Sequence, residues 1–433
     1  MNKSIPTSKL ARAKVAGGAA LKTGYKHLSH KAKQPFQSAE MNTVDKEKLD
    51  EEISQILFDT FSKLRGSALK MAQMLSMDSH LLPDPIRAQL TKSYHQVPPL
   101  GRPLINKIFQ QEFGKPAGQL FDTFNHHAFA AASLGQVHRA SSGTNKLLAV
   151  KLQYPGIDVT IDSDIQLARS LIKRTAHAKL LLSSLDEIEY RLHEEVDYRL
   201  EADNTEWFYE HLQLPDIAIP NVHREFSTER ILTTSLMPGL HLEQWLKQSP
   251  SQGSRNHFAQ QLYDLFVKSF YGLHVLHADP NPGNFLFTDN GTLNLLDFGC
   301  VRHFSNEFVT LVPQLLHAYM AHDAEAVIIT YQKLGMMVTD MSTEELEQFY
   351  QDLLQPFGDW FSKPFKTESF DFSSHRSPYT KEGWGTLKKF SRVKKISSIA
   401  NEFIYFDRTL LGLYQIFERM EAKVNMEHPW LIY

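Results

Sequence analysis

Apolar residues recur at helical spacing in the segment that follows residue 43. Their separations alternate between four and three residues, which places them on one face of an amphipathic helix. These residues are Leu57, Phe61, Leu64, Ala68, Met71 and Leu75. Pro83 and Pro85 predict the end of this helix, because proline lacks the amide hydrogen that an interior helical position donates. A second, shorter helix is predicted over Leu104 to Phe113.

The pattern changes after residue 120. Short apolar runs bounded by turn residues predict three strands, over Phe121 to Phe129, Leu134 to Ala140 and Leu147 to Leu152. Helical spacing returns from Asp158 to Leu212. Two further strands are predicted over Val222 to Phe226 and Arg230 to Leu236. Beyond Gly239 the pattern is mainly helical, and Ser342 and Glu345 form a capping box that predicts the start of one helix.

This order of elements predicts four segments. Residues 1–43 form a basic, loosely ordered leader, and residues 44–119 form a helical extension. Residues 120–236 form a smaller lobe of strands with a long helical stretch, and residues 237–433 form a larger helical lobe. The fold class is therefore α+β, with two lobes and a helical N-terminal extension.

Composition narrows the classes of function. The net charge of -3 gives no general attraction to nucleic acid, and the single cysteine, Cys300, excludes an intrachain disulfide and a cysteine metal cluster. No apolar run reaches the length of about 18 residues that a membrane-spanning helix needs. Eight Lys or Arg residues and no acidic residue precede Glu40. Such a leader is typical of a solvated tail, a membrane-surface segment or an organelle transit peptide.

Candidate chemistry is concentrated between His277 and Arg302. Two short apolar runs flank a turn at residues 288–291, which predicts a β-hairpin. Folding that hairpin brings Asn284 and Asp297 to the same end, where two oxygen-bearing side chains suit a hard cation such as Mg²⁺. The spacing of His277, Asp279, Asn284 and Asp297 matches the catalytic and metal-binding loops of kinases. Asp279 is therefore the candidate catalytic carboxylate, with Asn284 and Asp297 as metal ligands.

Residues upstream of this hairpin are candidates for binding the phosphate groups of a nucleotide. Lys151 ends the third predicted strand, like the lysine that pairs with nucleotide phosphates in kinases. The loop before it carries Ala130, Ala131, Ala132 and Ser133 where ordinary kinases have a glycine-rich loop. Alanine methyl groups hinder the close backbone approach that glycine permits, so this loop is expected to hold a nucleotide differently. Glu201 is the candidate carboxylate partner of Lys151, and Asp197 is expected one turn before it on the same helical face.

Several separated motifs together resemble the UbiB/AarF family of atypical kinases, from about residue 60 to residue 420. They are "AAASLGQVH", "EVDYRLEA", the two loops described above and "KLRGSALKMAQML". The resemblance implies a two-lobed protein-kinase-like fold in which residues 120–236 are the N-lobe and residues 237–433 the C-lobe. It also implies the family's Glu-x-Asp at Glu195 and Asp197, and its Lys-x-Gly-Gln at Lys70 and Gln73. Ala72 replaces the glycine of that last motif, so the helical extension carries Lys-x-Ala-Gln.

The resemblance further implies binding of ATP or ADP with Mg²⁺, ATPase activity, and support of ubiquinone or other prenyl-lipid metabolism. Expected partners are quinone intermediates and quinone-biosynthesis proteins. The extension is expected to lie over the active site, with Lys70 near Glu195 or Asp197, which disfavours ordinary protein phosphorylation. The basic leader predicts peripheral membrane contact, since each Lys or Arg near an anionic surface contributes about 1 kcal/mol. The predicted location is the cytoplasmic side of a bacterial inner membrane or, alternatively, the mitochondrion.

Two other classes of function stay open at this stage. A nucleotide-gated lipid-binding or scaffold protein with negligible turnover would explain the alanine-rich loop and Ala72. A small-molecule phosphotransferase would use a similar catalytic loop, although the alanine-rich loop and the predicted helix over residues 60–77 disfavour it. Measured hydrolysis of ATP distinguishes the first of these from an enzyme.

Overall fold

The computed structural model divides the chain into two compact units. The first contains Met1–Leu200 and Val222–Leu236, and the second contains Glu201–Asn221 and Met237–Tyr433. The structure describes residues 99–132, 134–143, 146–173, 178–338, 341–373, 378–390, 396–398 and 400–427, together with single positions and short runs between 14 and 74. Helices and strands together give the α+β class that the hydrophobic pattern predicts.

The first unit is built around an antiparallel sheet. Its strands are β1 Thr123–Phe124, β2 Ala130–Ala132, β3 Gly135–Ser142, β4 Lys146–Gln153 and β6 Ile231–Ser235. They run in the spatial order β1, β3, β4, β6, and β2 also pairs with β3. Gly143, with φ of 59°, turns the chain between β3 and β4.

Helices of the first unit cover the sheet and one another. They are α1 Arg102–Phe113, α2 Ile157–Ile172 and α3 Ala178–Glu195, and α4 Tyr198–His211 begins in this unit and continues into the second. Ile105, Ile108 and Phe109 are the buried residues of α1. They pack with Val150 and Leu152 of β4 in one apolar cluster, so α1 lies against the strand that carries Lys151.

The described part of the extension belongs to a second apolar cluster. Ala68 and Met71 are fully buried there with Ile161 and Ile165 of α2. The Ser67 hydroxyl donates a hydrogen bond to Asp164 of the same helix, at 2.5 Å. The predicted stripe is therefore buried at Ala68 and Met71, and its remaining members lie outside the described residues.

Part of the leader differs from the loose structure predicted for it. The described positions between 14 and 29 are helical. Ala19 is buried in the same cluster as Ala68, and Val15, four residues earlier, packs against that cluster. Val15 and Ala19 are one helical turn apart, so they contact this cluster from the same side of the segment.

The second unit is mainly helical. Its helices are α5 Leu242–Leu246, α6 Gln252–Val267, α7 Asn306–Ala321, α8 Ala324–Lys333, α9 Thr343–Phe349, α10 Gln355–Ser362, α11 Tyr379–Phe390 and α12 Asn401–Met420. Shorter turns of 3-10 type span Pro282–Asn284 and Lys363–Lys366, and π turns span Lys268–Gly272 and Tyr350–Leu354. The predicted capping box at Ser342 and Glu345 is confirmed at the start of α9.

The loops of the second unit are connected to short paired strands. The strands β8 Phe285–Phe287 and β9 Leu293–Leu295 form an antiparallel hairpin, beside which β5 Ile217–Ala218 runs parallel to β9. The strands β7 Val275–His277 and β10 Val301–His303 form a second antiparallel pair. The other pairs are β11 Met337–Val338 with β13 Ile396–Ser398, and β12 Ser369–Asp371 with β14 Lys423–Asn425.

Two predicted strands are wrong in extent or type. Over residues 121–129 only Thr123–Phe124 is a strand, because the side chain of Asn125 accepts a hydrogen bond from the amide of His127 and turns the chain. Within the predicted strand Val222 to Phe226, Arg224–Phe226 is a 3-10 turn. In this turn the amide of Phe226 donates a hydrogen bond to the carbonyl of His223, three residues earlier. This local hydrogen bond replaces the pairing with a neighbouring strand.

Among the residues that the structure describes, no helix combines the length and apolar character needed to cross a membrane.

Candidate functional site

The predicted hairpin is confirmed and places two candidate ligands at one end. Phe285 pairs with Leu295 and Phe287 with Leu293, and all six strand residues are buried. The pairing ends with the amide of Leu296 donating to the carbonyl of Asn284 at 3.0 Å. Asp297 follows Leu296 directly, so the hairpin register holds Asn284 and Asp297 at the same end.

The loop that carries Asp279 begins beside the loop that carries Asp297. His277 pairs with Val301 across β7 and β10, and the amide of Ala278 donates to the carbonyl of Cys300 at 2.8 Å. The ring Nε2 of His277 donates a hydrogen bond to the carbonyl of Asp297. His277 therefore ties the first loop to the second, which explains why the motif has a histidine at this position.

Asp279 is held by Asn284. The amide nitrogen of Asn284 donates to the Asp279 carboxylate at 3.0 Å and to the Asp279 carbonyl at 3.1 Å. Since the nitrogen of this planar amide is engaged by Asp279, its oxygen is the atom that faces other ligands. Asn284 is buried, so this orientation is fixed by its surroundings as well as by its two hydrogen bonds.

Phe298 and Gly299 anchor the Asp297 loop. The Phe298 ring is fully buried and meets the His277 ring edge-on, with centroids 5.4 Å apart. The Asn204 side chain of α4 donates to the Phe298 carbonyl at 3.0 Å, and the Gly299 amide donates to the Asp297 carboxylate at 2.9 Å. These contacts set the direction of the Asp297 side chain.

A carboxylate and an amide oxygen at one end of a hairpin fit Mg²⁺. This ion favours oxygen donors and binds through one or two carboxylates, completing its six ligands with water and phosphate oxygens. The candidate donors are Asp297 and Asn284. Asp279, which hydrogen-bonds to Asn284, is a carboxylate suited to orient a nucleophile or accept its proton.

In the first unit, the alanine-rich segment forms a strand. Ala130, Ala131 and Ala132 form β2 and pair with Val137, Gln136 and Gly135. Val137 in turn lies opposite Lys151 in the register of β3 and β4. The segment is therefore extended backbone on the same sheet as Lys151, and Ser133 lies outside the described residues.

Lys151 lies beside the first residue of α4. Its ammonium group is 5.0 Å from the centroid of the Tyr198 ring, which is within the range of a cation–π contact. Tyr198 is buried, and its hydroxyl would lie 2.8 Å from a Cβ atom added to Gly135. A side chain at position 135 would overlap the backbone of β4 and the Tyr198 hydroxyl, so only glycine fits there.

The structure brings Lys70 and Glu195 together. Their charged groups are 2.7 Å apart, and each side chain is 17% exposed. Gln153, two residues after Lys151, donates from its side chain to the carbonyl of Val196 at 2.7 Å. The end of α3 that carries Glu195 is thereby tied to β4. Gln73, the other predicted residue of the extension motif, lies outside the described residues.

Asp197 and Glu201 do not share a helical face as predicted. The helix α3 ends at Glu195 and α4 begins at Tyr198, with Asp197 between them. Its carboxylate accepts a hydrogen bond from the amide of Arg199 at 3.0 Å, because aspartate before a helix satisfies an amide that has no partner within the helix. Glu201 lies in the first turn of α4 and is buried.

Glu201 belongs to the second unit. There its carboxylate would lie 3.9 Å from a Cβ atom added to Gly299. Lys151 and Glu201 belong to different units, so the pair between them stays a prediction.

Comparison with known families decides the classification. A family model described as the ABC1 atypical kinase-like domain matches residues 92–331, more than half of the chain. The chain belongs to the ABC1 family of atypical kinases. The UbiB/AarF resemblance is thus confirmed, and the chain is an enzyme of the atypical kinase class.

Individual relatives extend the likeness beyond the matched domain. The atypical kinase COQ8, mitochondrial, of Saccharomyces cerevisiae is 27% identical over 98% of this chain and 84% of its own length. COQ8B, mitochondrial, of Danio rerio is 26% identical over 99% of this chain and 69% of its own. The family is linked to ubiquinone biosynthesis.

A solved structure supports the fold. The structure of the Rv3197–erythromycin complex from Mycobacterium tuberculosis has a TM-score of 0.60 to this chain and covers 90% of it and 96% of the solved chain. The sequences are 23% identical, so this likeness bears on the fold alone. It agrees with the predicted kinase-like α+β architecture.

Three contacts of this ABC1 kinase were missed by the sequence analysis. They involve Asn204, which bonds to Phe298, Tyr198, which contacts Lys151, and Arg408, which lies 3.7 Å from Asp279. Tyr198 is part of the motif "EVDYRLEA", so its proximity to the motif acids was a usable signal. Arg408 had no such signal, because it lies more than 100 positions after the loop that it contacts.

Proposed function

We propose that this ABC1 kinase binds Mg-ATP and hydrolyses it, or transfers its terminal phosphate to a lipid-like acceptor. Asp297 and Asn284 would hold Mg²⁺, Lys151 would pair with the α- and β-phosphates, and Asp279 would orient the attacking oxygen and accept its proton. The observation that carries the proposal is the hairpin register that places Asn284 and Asp297 at one end, with Asn284 bonded to Asp279.

The chemistry asked of these residues is mainly electrostatic. Phosphoryl transfer needs its phosphate charges neutralised and its nucleophile placed in line, and a metal with one lysine meets the first need. The alanine-rich strand and Glu201 belong to the same proposal, the first as the backbone near the nucleotide and the second as the partner of Lys151. Lys70 and Gln73 of the extension, together with Glu195 and Asp197 of the N-lobe, would form the contact that excludes protein substrates.

The direct test measures Mg-dependent ATP hydrolysis by the full chain. Asp297→Asn keeps the size of the side chain but removes one ligand charge, so we expect the rate to fall at least about 100-fold. Asp289→Asn is the matched control, because Asp289 is exposed in the turn at the opposite end of the same hairpin. Equal rates for wild type and Asp297→Asn would refute the assignment.

The physiological role is proposed from the family. We propose that the activity supports ubiquinone or another prenyl-lipid pathway, with quinone intermediates or pathway proteins as partners and the basic leader as a peripheral membrane contact. Relatives named as mitochondrial make the mitochondrion one proposed location, and the cytoplasmic face of a bacterial inner membrane is the other. A deletion strain assayed for quinones, and complemented by wild type or Asp297→Asn, tests this role.

Nucleotide binding without turnover is one alternative. The alanine residues of β2 favour this alternative, because their methyl groups hinder the close approach of phosphate groups to the backbone. A thermal shift with Mg-ADP, accompanied by no measurable hydrolysis by the wild type, would support a scaffold over an enzyme.

A further inference from the structure

One face of α12 runs along the catalytic loop, which carries Asp279, and along the segment that follows the Asp297 loop. Glu402, Tyr405, Arg408 and Gly412 are separated by three, three and four residues, which places them on one side of the helix. Each of the four meets a residue of the catalytic loop or of the segment after Asp297. All these residues belong to the second unit.

The first half of this face holds the segment after Asp297. Glu402 accepts hydrogen bonds from the amide and the hydroxyl of Ser305, at 2.8 and 2.9 Å. The guanidinium of Arg302 lies 4.5 Å from the centroid of the Tyr405 ring. These contacts fix the start of α12 against β10 and the residue that caps α7.

The second half of the face meets the catalytic loop. A guanidinium nitrogen of Arg408 lies 3.7 Å from the Asp279 carboxylate, and the two side chains are 17% and 23% exposed. One turn later, a Cβ atom added to Gly412 would overlap the ring of Pro280. Gly412 thus allows the close approach that brings Arg408 to Asp279.

The catalytic loop has no cation of its own. From Ala278 to Gly283 the sequence is Ala-Asp-Pro-Asn-Pro-Gly, without lysine or arginine. The guanidinium beside Asp279 therefore comes from a distant part of the chain. With little solvent around either side chain, this ion pair is screened less than a surface pair would be.

The two carboxylate oxygens of Asp279 face different groups. One oxygen, Oδ2, accepts from the Asn284 amide at 3.0 Å, and the other, Oδ1, faces Arg408 at 3.7 Å. The second distance is too long for a hydrogen bond, so Arg408 acts on Asp279 through its charge. Contacts from two sides restrict rotation of the carboxylate about its bond to Cβ.

We propose that Arg408 is a positioning residue that orients the Asp279 carboxylate for phosphoryl transfer. The proposal rests on the proposed function, in which Asp279 acts on the attacking oxygen. Arg408 contributes orientation and charge, and it acts through Asp279 on the reacting oxygen. A carboxylate displaced by about 1 Å can cost about 100-fold in rate.

The test compares arginine variants of α12 in the full chain. Arg408→Met removes the charge but keeps much of the side-chain length, and we expect kcat for Mg-ATP hydrolysis to fall about 10-fold to 100-fold with KM for ATP changed less than about twofold. Arg408→Lys keeps a charge and is expected to retain several times more activity than Arg408→Met. Arg419→Met is the matched control, because Arg419 lies on the same helix and pairs with Glu243, away from the loop.

A double-mutant cycle separates positioning from packing. Measured on the residual rate, Arg408→Met should have little further effect in an Asp279→Asn background, since its action passes through that carboxylate. Undiminished kcat in Arg408→Met would overturn the proposal. The proposal would also be overturned if Arg408→Met and Arg408→Lys lost equal kcat, in proportion to the fall of their melting temperatures.

Failure of this inference is distinguishable from failure of the proposed function. If Asp279→Asn and Asp297→Asn hydrolyse ATP as fast as wild type, the proposed function fails and Arg408 has no catalytic carboxylate to orient. If both aspartate variants are impaired but Arg408→Met is not, the positioning role alone is wrong.

Discussion

Among single residues, the Lys70–Glu195 pair is the contact whose loss is easiest to interpret. The pair is short and mostly shielded from water. The second carboxylate oxygen of Glu195 is buried, with no hydrogen-bond partner among the described residues. The negative charge of Glu195 is therefore compensated mainly by the ammonium group of Lys70.

Lys70→Met is expected to lower the free energy of unfolding by about 1–3 kcal/mol, because it leaves a shielded carboxylate without its cation. Thermal or urea unfolding measures the loss. Adding Glu195→Gln to Lys70→Met removes the uncompensated charge, so the double variant should recover part of that stability. A double variant less stable than Lys70→Met would contradict this account of the pair.

A second residue-level feature is the buried carboxyl of Asp407. Burial raises the pKa of Asp407 to about 7, and its charge is felt by the hydroxyls of Tyr319 and Tyr331. The unfolded chain releases this proton near pH 3.9. Between about pH 4 and pH 7 the folded state therefore binds a proton that the unfolded state has lost, and this group lowers stability as the pH rises.

Asp407→Asn is expected to remove that dependence. The variant should gain stability relative to wild type as the pH rises from about 4 to 7, and the difference should level off above pH 7. Melting temperatures of both proteins across this range provide the measurement. A constant difference over the whole range would contradict the assigned pKa.

At the scale of elements, close helix packing explains the glycine at position 412. A methyl group there would overlap Pro280, whereas at Gly385 of α11 a Cβ atom would meet nothing within 4 Å. Both glycines lie within helices, so they differ mainly in what faces them.

Gly412→Ala is expected to destabilise the protein by about 1–3 kcal/mol and to reduce kcat, because the helix and the catalytic loop must separate. Gly385→Ala should instead stabilise the protein by up to about 1 kcal/mol, since alanine favours the helix and the site is open. Unfolding curves and ATPase rates of both variants test the pair. Equal effects at the two positions would mean that the Pro280 contact has no energetic importance.

The same scale shows which elements a sequence can predict. The hairpin around residues 285–295 was predicted correctly because its pairing is local and its turn residues are distinctive. The strand expected over residues 222–226 was wrong, because a local 3-10 turn replaced the ladder. Asp197 was placed on a helix that ends before it, since apolar spacing continues through the junction between α3 and α4.

For the whole molecule, binding and stability are linked. If Asp297 and Asn284 hold Mg²⁺ with a nucleotide, the bound ligand stabilises the folded state by mass action, by about 2.7 kcal/mol at a concentration 100 times Kd. We expect Mg-ADP to raise the melting temperature by several degrees in wild type but not in Asp297→Asn. A similar rise in both proteins, or with ADP in the presence of EDTA, would argue against metal binding at this hairpin.

Across the whole chain, the sequence predicted contacts between residues that are near in sequence better than contacts between residues that are far apart. The proximity of Asn284 and Asp297 could be predicted because a short hairpin determines it. The contact of Arg408 with Asp279 depends on how a late helix packs, which neither spacing nor composition encodes. The Lys70–Glu195 contact was anticipated only through the resemblance to a known family.

The late position of α12 has a consequence for synthesis on the ribosome. The catalytic loop is complete at Asn284, but Arg408 is translated more than 100 residues later. At usual elongation rates this interval lasts roughly 6 to 25 s. For most of that time the nascent chain carries both Asp279 and Asp297 but lacks the helix that packs on Pro280. A chaperone or protease acting on the nascent chain would therefore meet the catalytic loop while it is still uncovered.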